Sequence, residues 1–272
     1  QSEEVICLHK IGFTNILLGE FRSGLGTLKA GLEITTMIGD QAGAAAAYLE
    51  LGHAHLLLGD EEHARRVITT AIQSAEFTEE IALEGQARVL TAFLDICLQQ
   101  YESWERLKRR QTEFLGAMND PTQRAHFLSW MVRCAQIAKD PEYGREMWML
   151  LNEEVEAGSL IYYGFVRDIL QAREEGYTDQ PLPTESLLEV QGECSNRSLR
   201  PLEITSALEL GRRYSDTDEG TQWLTHALEL MRELTQELAP GEAARFVQTQ
   251  QAIEIKGLFN KEWNRIKAAE GF

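Results

Sequence analysis

Leu51-Gly52-His53-Ala54-His55-Leu56-Leu57-Leu58-Gly59-Asp60 repeats, forty residues on, the pattern of Ile11-Gly12-Phe13-Thr14-Asn15-Ile16-Leu17-Leu18-Gly19-Glu20. In both stretches a glycine sits mid-helix, a Gly-acidic pair makes the turn, and a second apolar-periodic segment follows. One helical hairpin cannot bury its apolar stripe alone. A repeat of this kind is therefore a stacking unit, whose copies lie side by side and share a core along an inner groove.

The period continues along the chain. Adding forty to Gly52 reaches Ala92, inside Ala87 to Ile96, and adding forty again reaches Val132, inside Phe127 to Cys134. The turn signal moves in step, from Gly19-Glu20 and Gly59-Asp60 to Gln99-Gln100 and Lys139-Asp140-Pro141, the last with proline where a new helix should start. Residues 1–157 thus read as four regular repeats.

These residues resemble the tetratricopeptide repeat family, in which a small residue of the first helix packs on a small or apolar residue of the second. Gly12 with Gly24, and Gly52 with Ala64, match that pair; Gly31 and Ala71 match the later small position, with Leu28 and Ile68 between. The third unit departs, with Trp104 and Gln111 in place of small residues; the fourth keeps Gly144 but has Leu151 later. The repeats exceed the family's usual length of about thirty-four residues, which adds about 9 Å of helix per unit. Long repeats of this sort resemble those of bacterial multidomain signalling proteins, where they lie beside ATPase, kinase, cyclase or protease domains. The resemblance implies an all-α fold: a right-handed α-solenoid of about six helical hairpins with a C-terminal capping helix.

Residues 158–239 read as two irregular hairpins. Leu160 to Glu175 has apolar residues at Ile161, Phe165, Val166, Ile169 and Leu170 for one helical face, and Gly176 ends it. Pro181 and Pro183 demand turn backbone, Thr184 can cap a short helix through Leu188, and Gln191 to Ser198 reads as a turn. Pro201 to Tyr214 and Glu219 to Leu238 form the next hairpin, with Leu208, Leu224, Leu228 and Leu234 inward. Residues 240–272 are expected to cap the solenoid with one helix, Gly241 to Ala269, carrying Phe246, Ile253, Leu258, Trp263 and Ile266; one face covers the last hairpin and the other meets water. Its Pro-Gly-Glu-Ala-Ala-Arg-Phe entry is similar to the closing segments of repeat regions in bacterial transcriptional-regulator ATPases. The opening Gln1, with no initiator methionine, suggests a fragment of a longer chain.

Composition narrows the function classes. A net charge of −17 opposes phosphate backbones, so direct nucleic-acid binding is not expected. The basic run Arg106-Leu107-Lys108-Arg109-Arg110 falls on a second helix and reads as a solvated convex face. No apolar run is long enough for a transmembrane span, and no signal peptide is evident. Cys7, Cys97, Cys134 and Cys194 lack CxxC spacing, which fits a reducing, cytoplasmic compartment; a redox role for Cys7 or Cys194 stays open. His53 and His55 are two apart, on opposite sides of a helix, and cannot share a metal ion. No phosphate loop, dinucleotide fingerprint, HExxH or GxSxG is present, and Glu153, Glu154 and Glu156, or Glu174 and Glu175, read as solvated carboxylates. No catalytic residue, metal or cofactor is expected.

The resemblance also predicts which residues face the groove, because the family's first helices line its concave wall. The position after the small residue reads Phe13, His53, Phe93, Arg133 and Arg173; one turn earlier come His9, Leu49, Val89, Ser129 and Ile169; three before that come Ile6, Ala46, Gln86, His126 and Val166. The early half is apolar and aromatic, the later half offers arginines and a histidine, and this suits a peptide or helix with an apolar segment followed by an acidic one. The carboxylate clamp of the family's chaperone-binding members is missing, since its asparagine position is Phe13 or His53. The expected function is a non-catalytic scaffold that binds a protein or peptide, including an adjacent domain of the same chain, and regulates a linked or partner signalling domain. The alternatives are a free-standing adaptor or assembly factor, and a peptide or small-ligand sensor, which requires a closed pocket in the groove.

Overall fold

The turns between helices share one backbone solution. In the computed structural model, which describes residues 3–173 and 182–270 and side chains through residue 265, a left-handed residue stands at Gly19, Gly39, Gly59, Glu79, Gln99, Lys139 and Ser159. Positions 19, 39, 59, 79 and 99, then 139 and 159, step by twenty, half the repeat of the sequence. After each, the next residue donates its N–H to the carbonyl five positions back: Glu20 to Asn15, Asp40 to Thr35, Asp60 to His55, Glu80 to Ala75, Gln100 to Asp95, Asp140 to Ala135 and Leu160 to Val155. This closes one helix by satisfying an orphan carbonyl. At Asp40, Asp60 and Asp140 the same residue then opens the next helix, its carboxylate accepting from the backbone N–H of Gly43, His63 and Tyr143.

The described elements are all helical: α1 (Glu3–Leu18), α2 (Phe21–Ile38), α3 (Gln41–Leu57), α4 (Glu61–Phe77), α5 (Ile81–Cys97), α6 (Glu102–Ala117), α7 (Pro121–Ala138), α8 (Pro141–Gly158), α9 (Ile161–Arg173), α10 (Thr184–Asn196), α11 (Arg200–Arg213), α12 (Asp218–Glu237), α13 (Pro240–Phe246) and α14 (Gln250–Glu270). Consecutive helices from α1 to α12 pair, α1 with α2 through α11 with α12, and neighbouring pairs stack as a helical repeat requires. Close approach within a pair depends on the small residues. A Cβ on Gly24 would lie 2.8 Å from the carbonyl oxygen of Gly12, a backbone atom that no rotamer change can move. In the third pair Trp104 is buried at 1 % exposure and meets Tyr143 of α8 edge-on at 5.3 Å, while α5 packs broadly on α7.

The stack does not end as an open spiral. The odd-numbered helices touch in sequence, α1 on α3, α3 on α5, α5 on α7, α7 on α9 and α9 on α11, and α11 returns to α1. One apolar core runs through the middle of the chain, around Leu90, Phe114, Phe127 and Leu151. A second joins the two ends: Ile16, Phe21, Leu51 and Leu58 from the first hairpins pack with Ile204, Leu224, Leu234, Phe246 and Ile255 from the last. Phe21 and Phe246 stand 6.1 Å apart across this seam.

The C-terminal segment departs from the expected cap. It is two helices, broken at residues 247–249, and it bridges both ends of the stack rather than sealing one. Arg245 pairs with Asp60 at 3.1 Å, and Gly59 takes a left-handed φ of 70° where a Cβ would meet the Arg245 carbonyl at 2.9 Å. Further along, Gln251 donates to Thr205, Glu254 joins Arg173 and Arg212, and Glu262 accepts from the Asp216 N–H. The physical reason is burial: two exposed apolar faces remove more surface from water by meeting than by each finding a polar cover. Phe246 is accordingly buried and Leu258 half-buried, whereas Ile253 and Trp263 are exposed; the Ile266 side chain lies outside those described.

Two local expectations are also corrected. Gln191 to Ser198 is not a turn, because α10 continues to Asn196, and Thr184 is its first helical residue after Pro183 rather than its cap. Gln191 and Cys194 are buried there, with Gln191 accepting from the Ser206 hydroxyl of α11, so tertiary contact overrides the turn-like composition. Gly176 and the Asp179 to Pro181 stretch lie outside the described residues.

Gly24→Ala should destabilise the fold by about 1–3 kcal/mol through overpacking against the Gly12 backbone, whereas Gly26→Ala, where a Cβ meets nothing within 4 Å, should stabilise by about 0.5–1 kcal/mol. Thermal denaturation of the two variants checks the opposite signs. Ile255→Ala, emptying a fully buried position of the seam, should cost about 2–5 kcal/mol by the same measurement.

Candidate functional site

Closure turns the concave wall into the lining of a chamber. Successive odd-numbered helices send rings to one centre: Phe13 from α1, His53 from α3, Phe93 from α5, His126 and Trp130 from α7, and Tyr163 from α9. Phe13 meets His53 at 5.6 Å and His126 at 5.9 Å, so α1 and α7 face one another across the ring. His53 also lies 5.1 Å from His126 and 5.4 Å from Trp130. Phe93 packs on the outer side of Trp130 at 4.9 Å.

Beside this cluster is a cavity of about 70 Å³. His53, His126, Ser129, Trp130, Arg133, Tyr162 and Tyr163 line one side, and Leu17, Leu57, Thr205 and Gln251 line the other. It is polar and roomy enough to hold small groups, since one water needs only about 10–15 Å³ on this measure. The Arg133 guanidinium stacks on Trp130, 5.0 Å from the ring centre. The residue is half-buried, no carboxylate pairs with it among the described residues, and its buried Nε has no hydrogen-bond partner. His53 is 7 % exposed and its Nδ1 is likewise unpartnered. His126 Nδ1 and the Tyr163 hydroxyl share a hydrogen bond of 3.2 Å, and Ser129 donates to the His126 carbonyl.

Burial sets the protonation of these groups. It lowers His53 well below the ordinary histidine value, with His126 and Arg133 adding to the effect, and it lowers His126 to about 4, again with Arg133. Burial raises Tyr162 to about 12 and Tyr163 well above its ordinary value, so both phenols keep their protons. Burial also lowers Arg133, and no carboxylate is close enough to oppose it. At neutral pH the lining therefore holds neutral donors and one cation.

The sequence-derived wall residues divide into three sets. Phe13, His53, Phe93, Ser129, Arg133 and His126 meet around the chamber. His9, Leu49, Val89, Gln86 and Ile169 are buried in the wall without lining the cavity, while Val166 lines it. Ile6 is partly exposed at 37 %, and Ala46 is half-buried. Arg173 sits apart at the seam, exposed and paired with Glu254 and Glu209, so the two arginines read as a pair in the sequence differ in role. Trp130, Tyr162 and Tyr163 escaped sequence reading, although Trp130 adjoins the Ser129 position and Tyr163 lies three before Val166. Thr205 and Gln251 had no signal, because the closure that brings them in is tertiary.

Other candidates resolve into ion pairs and packing. In the basic run, Lys108 reaches Glu105 and Asp140, Arg110 reaches Glu84 and Glu113, and Arg106 reaches Glu102. Leu107 is buried and Arg109 exposed. Glu154 pairs with Arg124 and Glu156 with Arg167, Glu153 is exposed, and Glu174 and Glu175 lie outside the described residues. Cys7 and Cys97 are exposed, Cys134 and Cys194 are buried, and all four are free thiols. His55 stacks with His63 over Asp60, away from His53. Among the described residues no group of three or more His, Cys, Asp or Glu is placed to hold a metal ion, and no described helix is long and apolar enough to cross a membrane.

Compared with known proteins, the chain matches no family model and no curated protein.

The lowered histidines predict a pH dependence. Unfolded, His53 and His126 bind protons near pH 6.5; folded, His126 does so only near pH 4 and His53 well below 6.5. Their contribution to stability is complete above pH 6.5 and is lost as the pH falls through that window. A His53→Gln, His126→Gln variant should lose less of its Tm between pH 7 and 4.5 than the parent chain.

Proposed function

We propose that this chain is a non-catalytic recognition scaffold built of about six right-handed, tetratricopeptide-like hairpins, which binds a protein or peptide segment on its inner wall and regulates a linked or partner signalling domain. The observation that carries this reading is the convergence of aromatic, histidine and arginine side chains from successive repeats on one chamber. These are recognition groups. No paired carboxylates face the same space among the described lining residues, and the Ser129 hydroxyl donates to the His126 carbonyl rather than to an imidazole nitrogen.

The chamber's size limits what enters the closed ring. A helix with its side chains is about 10–12 Å across, far more than a cavity of about 70 Å³ admits. A longer segment reaches the wall only when the seam opens; of the polar contacts of the C-terminal segment, Arg245 with Asp60 spans the seam, while Gln251 with Thr205 and Glu254 with Arg173 and Arg212 hold α14 to α11 and α9. Closure would then compete with partner binding, and occupancy of the wall would be reported at the C-terminal segment. The small, partly open cavity also favours the second reading, a sensor of a short peptide or small ligand, because a sensor needs a pocket.

Opening the seam tests the proposal. Arg245→Glu with Phe246→Asp, at the ion pair to Asp60 and the ring contact with Phe21 that join the two ends, should enlarge the radius of gyration by small-angle scattering while helicity is retained, and should increase the amount of one partner protein recovered from native extract. A disulfide engineered across the seam should abolish that recovery. Equal recovery by the locked and opened forms would reject binding at the inner wall.

A further inference from the structure

The unused charge at the centre of the ring is Arg133. It is held by its stack on Trp130 and lines a partly open cavity, yet no described residue supplies a carboxylate or an acceptor to it. Elsewhere the chain leaves few arginines in this state: Arg65, Arg88, Arg110, Arg124, Arg167, Arg173, Arg200 and Arg212 all have acidic partners. With a net charge of −17 there is no shortage of carboxylates, so the empty place beside Arg133 is a property of the site and not of the composition. Arg133 is half-buried, with its Nε out of contact with water and unpartnered, and a guanidinium so placed is costly to the folded state.

We infer that the central cavity is a binding site for a small monocarboxylate, whose carboxylate lies on the Arg133 guanidinium and the free Nδ1 edge of His53, and whose apolar part lies against Trp130, Tyr162 and Leu57. One guanidinium faces the cavity, and a guanidinium matches a carboxylate with two parallel N–H donors. A phosphate dianion would bring a second negative charge that no other free cation in the lining balances. The Tyr162 hydroxyl stands in the same lining as a neutral donor, whereas those of Tyr163 and Ser129 are already hydrogen-bonded to His126. The cavity volume restricts the ligand to a few heavy atoms beyond the carboxylate. The inference rests on the inner wall being a recognition surface, but it concerns the closed ring and needs no protein partner.

The test uses the full chain at pH 7 and named probes: acetate, butyrate and benzoate, benzamide as a neutral analogue, inorganic phosphate, and a short peptide ending in Phe as free acid or amide. At least one of the three monocarboxylates should raise the Tm saturably and shift the His53 and His126 imidazole resonances; benzamide and phosphate should bind at least tenfold more weakly. Preference for the free-acid peptide over all three small acids would assign the carboxylate to a chain terminus and overturn the small-ligand identity. Arg133→Met should weaken benzoate or butyrate binding at least tenfold while raising the Tm of the unliganded protein, since it removes an unpaired charge; a merely structural arginine would lower it. Arg133→Lys, which keeps the charge without the planar fork, should retain part of the affinity and guards against misfolding of the first variant. Absence of binding by every monocarboxylate, equal binding of benzamide, or unchanged affinity in folded Arg133→Met would overturn the site.

Discussion

The structure depends on the mutual burial of its two ends. A stack of helical pairs always leaves an apolar face at each terminus, and in this chain those faces meet: Ile16, Phe21 and Leu58 pack with Leu234, Phe246 and Ile255. Each large side chain so buried contributes roughly 1.5–3 kcal/mol, which is why one continuous apolar seam outweighs the few ion pairs around it. In the pairs of Arg245 with the buried Asp60 and of Arg173 with Glu254 the guanidinium is open to solvent, and pairs so screened contribute little. Their role is to fix the register in which the C-terminal segment lies across the ring.

Closure has a chemical consequence. On an open solenoid Arg133, His53 and His126 would face water in a wide groove. In the ring His53 is buried and His126 and Arg133 are half-buried, the histidines are held neutral, and the arginine keeps a charge without a counter-ion among the described residues. The same step that stabilises the apolar seam thus raises the cost of the polar centre, and a sequence selected for stability alone would have placed a carboxylate or an apolar residue at position 133. Departures of this kind from the most stable choice are what a functional site requires, and they underlie the recognition role proposed for this wall.

Much of this was legible in advance because repeats carry their own frame. The glycines at 12 and 24 mark a close approach of the first helix pair, and the residue following each small position was read from the repeat frame as facing inward; His53 and Arg133 line the cavity, and Phe13 and Phe93 pack on its His53 and Trp130 rings. The frame failed where composition imitates a turn. Gln191 to Asn196 is rich in Gly, Asn, Ser and Glu, yet it is helical, because Gln191 and Cys194 have a buried side to occupy against the next helix. It failed again at Val247 to Thr249, where periodicity within the last segment hides a break that lets α14 change direction across the seam.

By itself the sequence determined the helices, their turns and the inward face of the regular units, because these follow from contacts within about forty residues: apolar spacing, left-handed turn residues at a step of twenty, and small residues where helices touch. Only the tertiary structure decided that the groove is a closed chamber, that Arg173 belongs to the seam while Arg133 stands alone, and that Thr205 and Gln251 complete the wall. These depend on how a small rotation between neighbouring pairs accumulates around the stack until its ends meet. No local pattern encodes that sum, since each pair touches only its neighbours until the last one reaches the first.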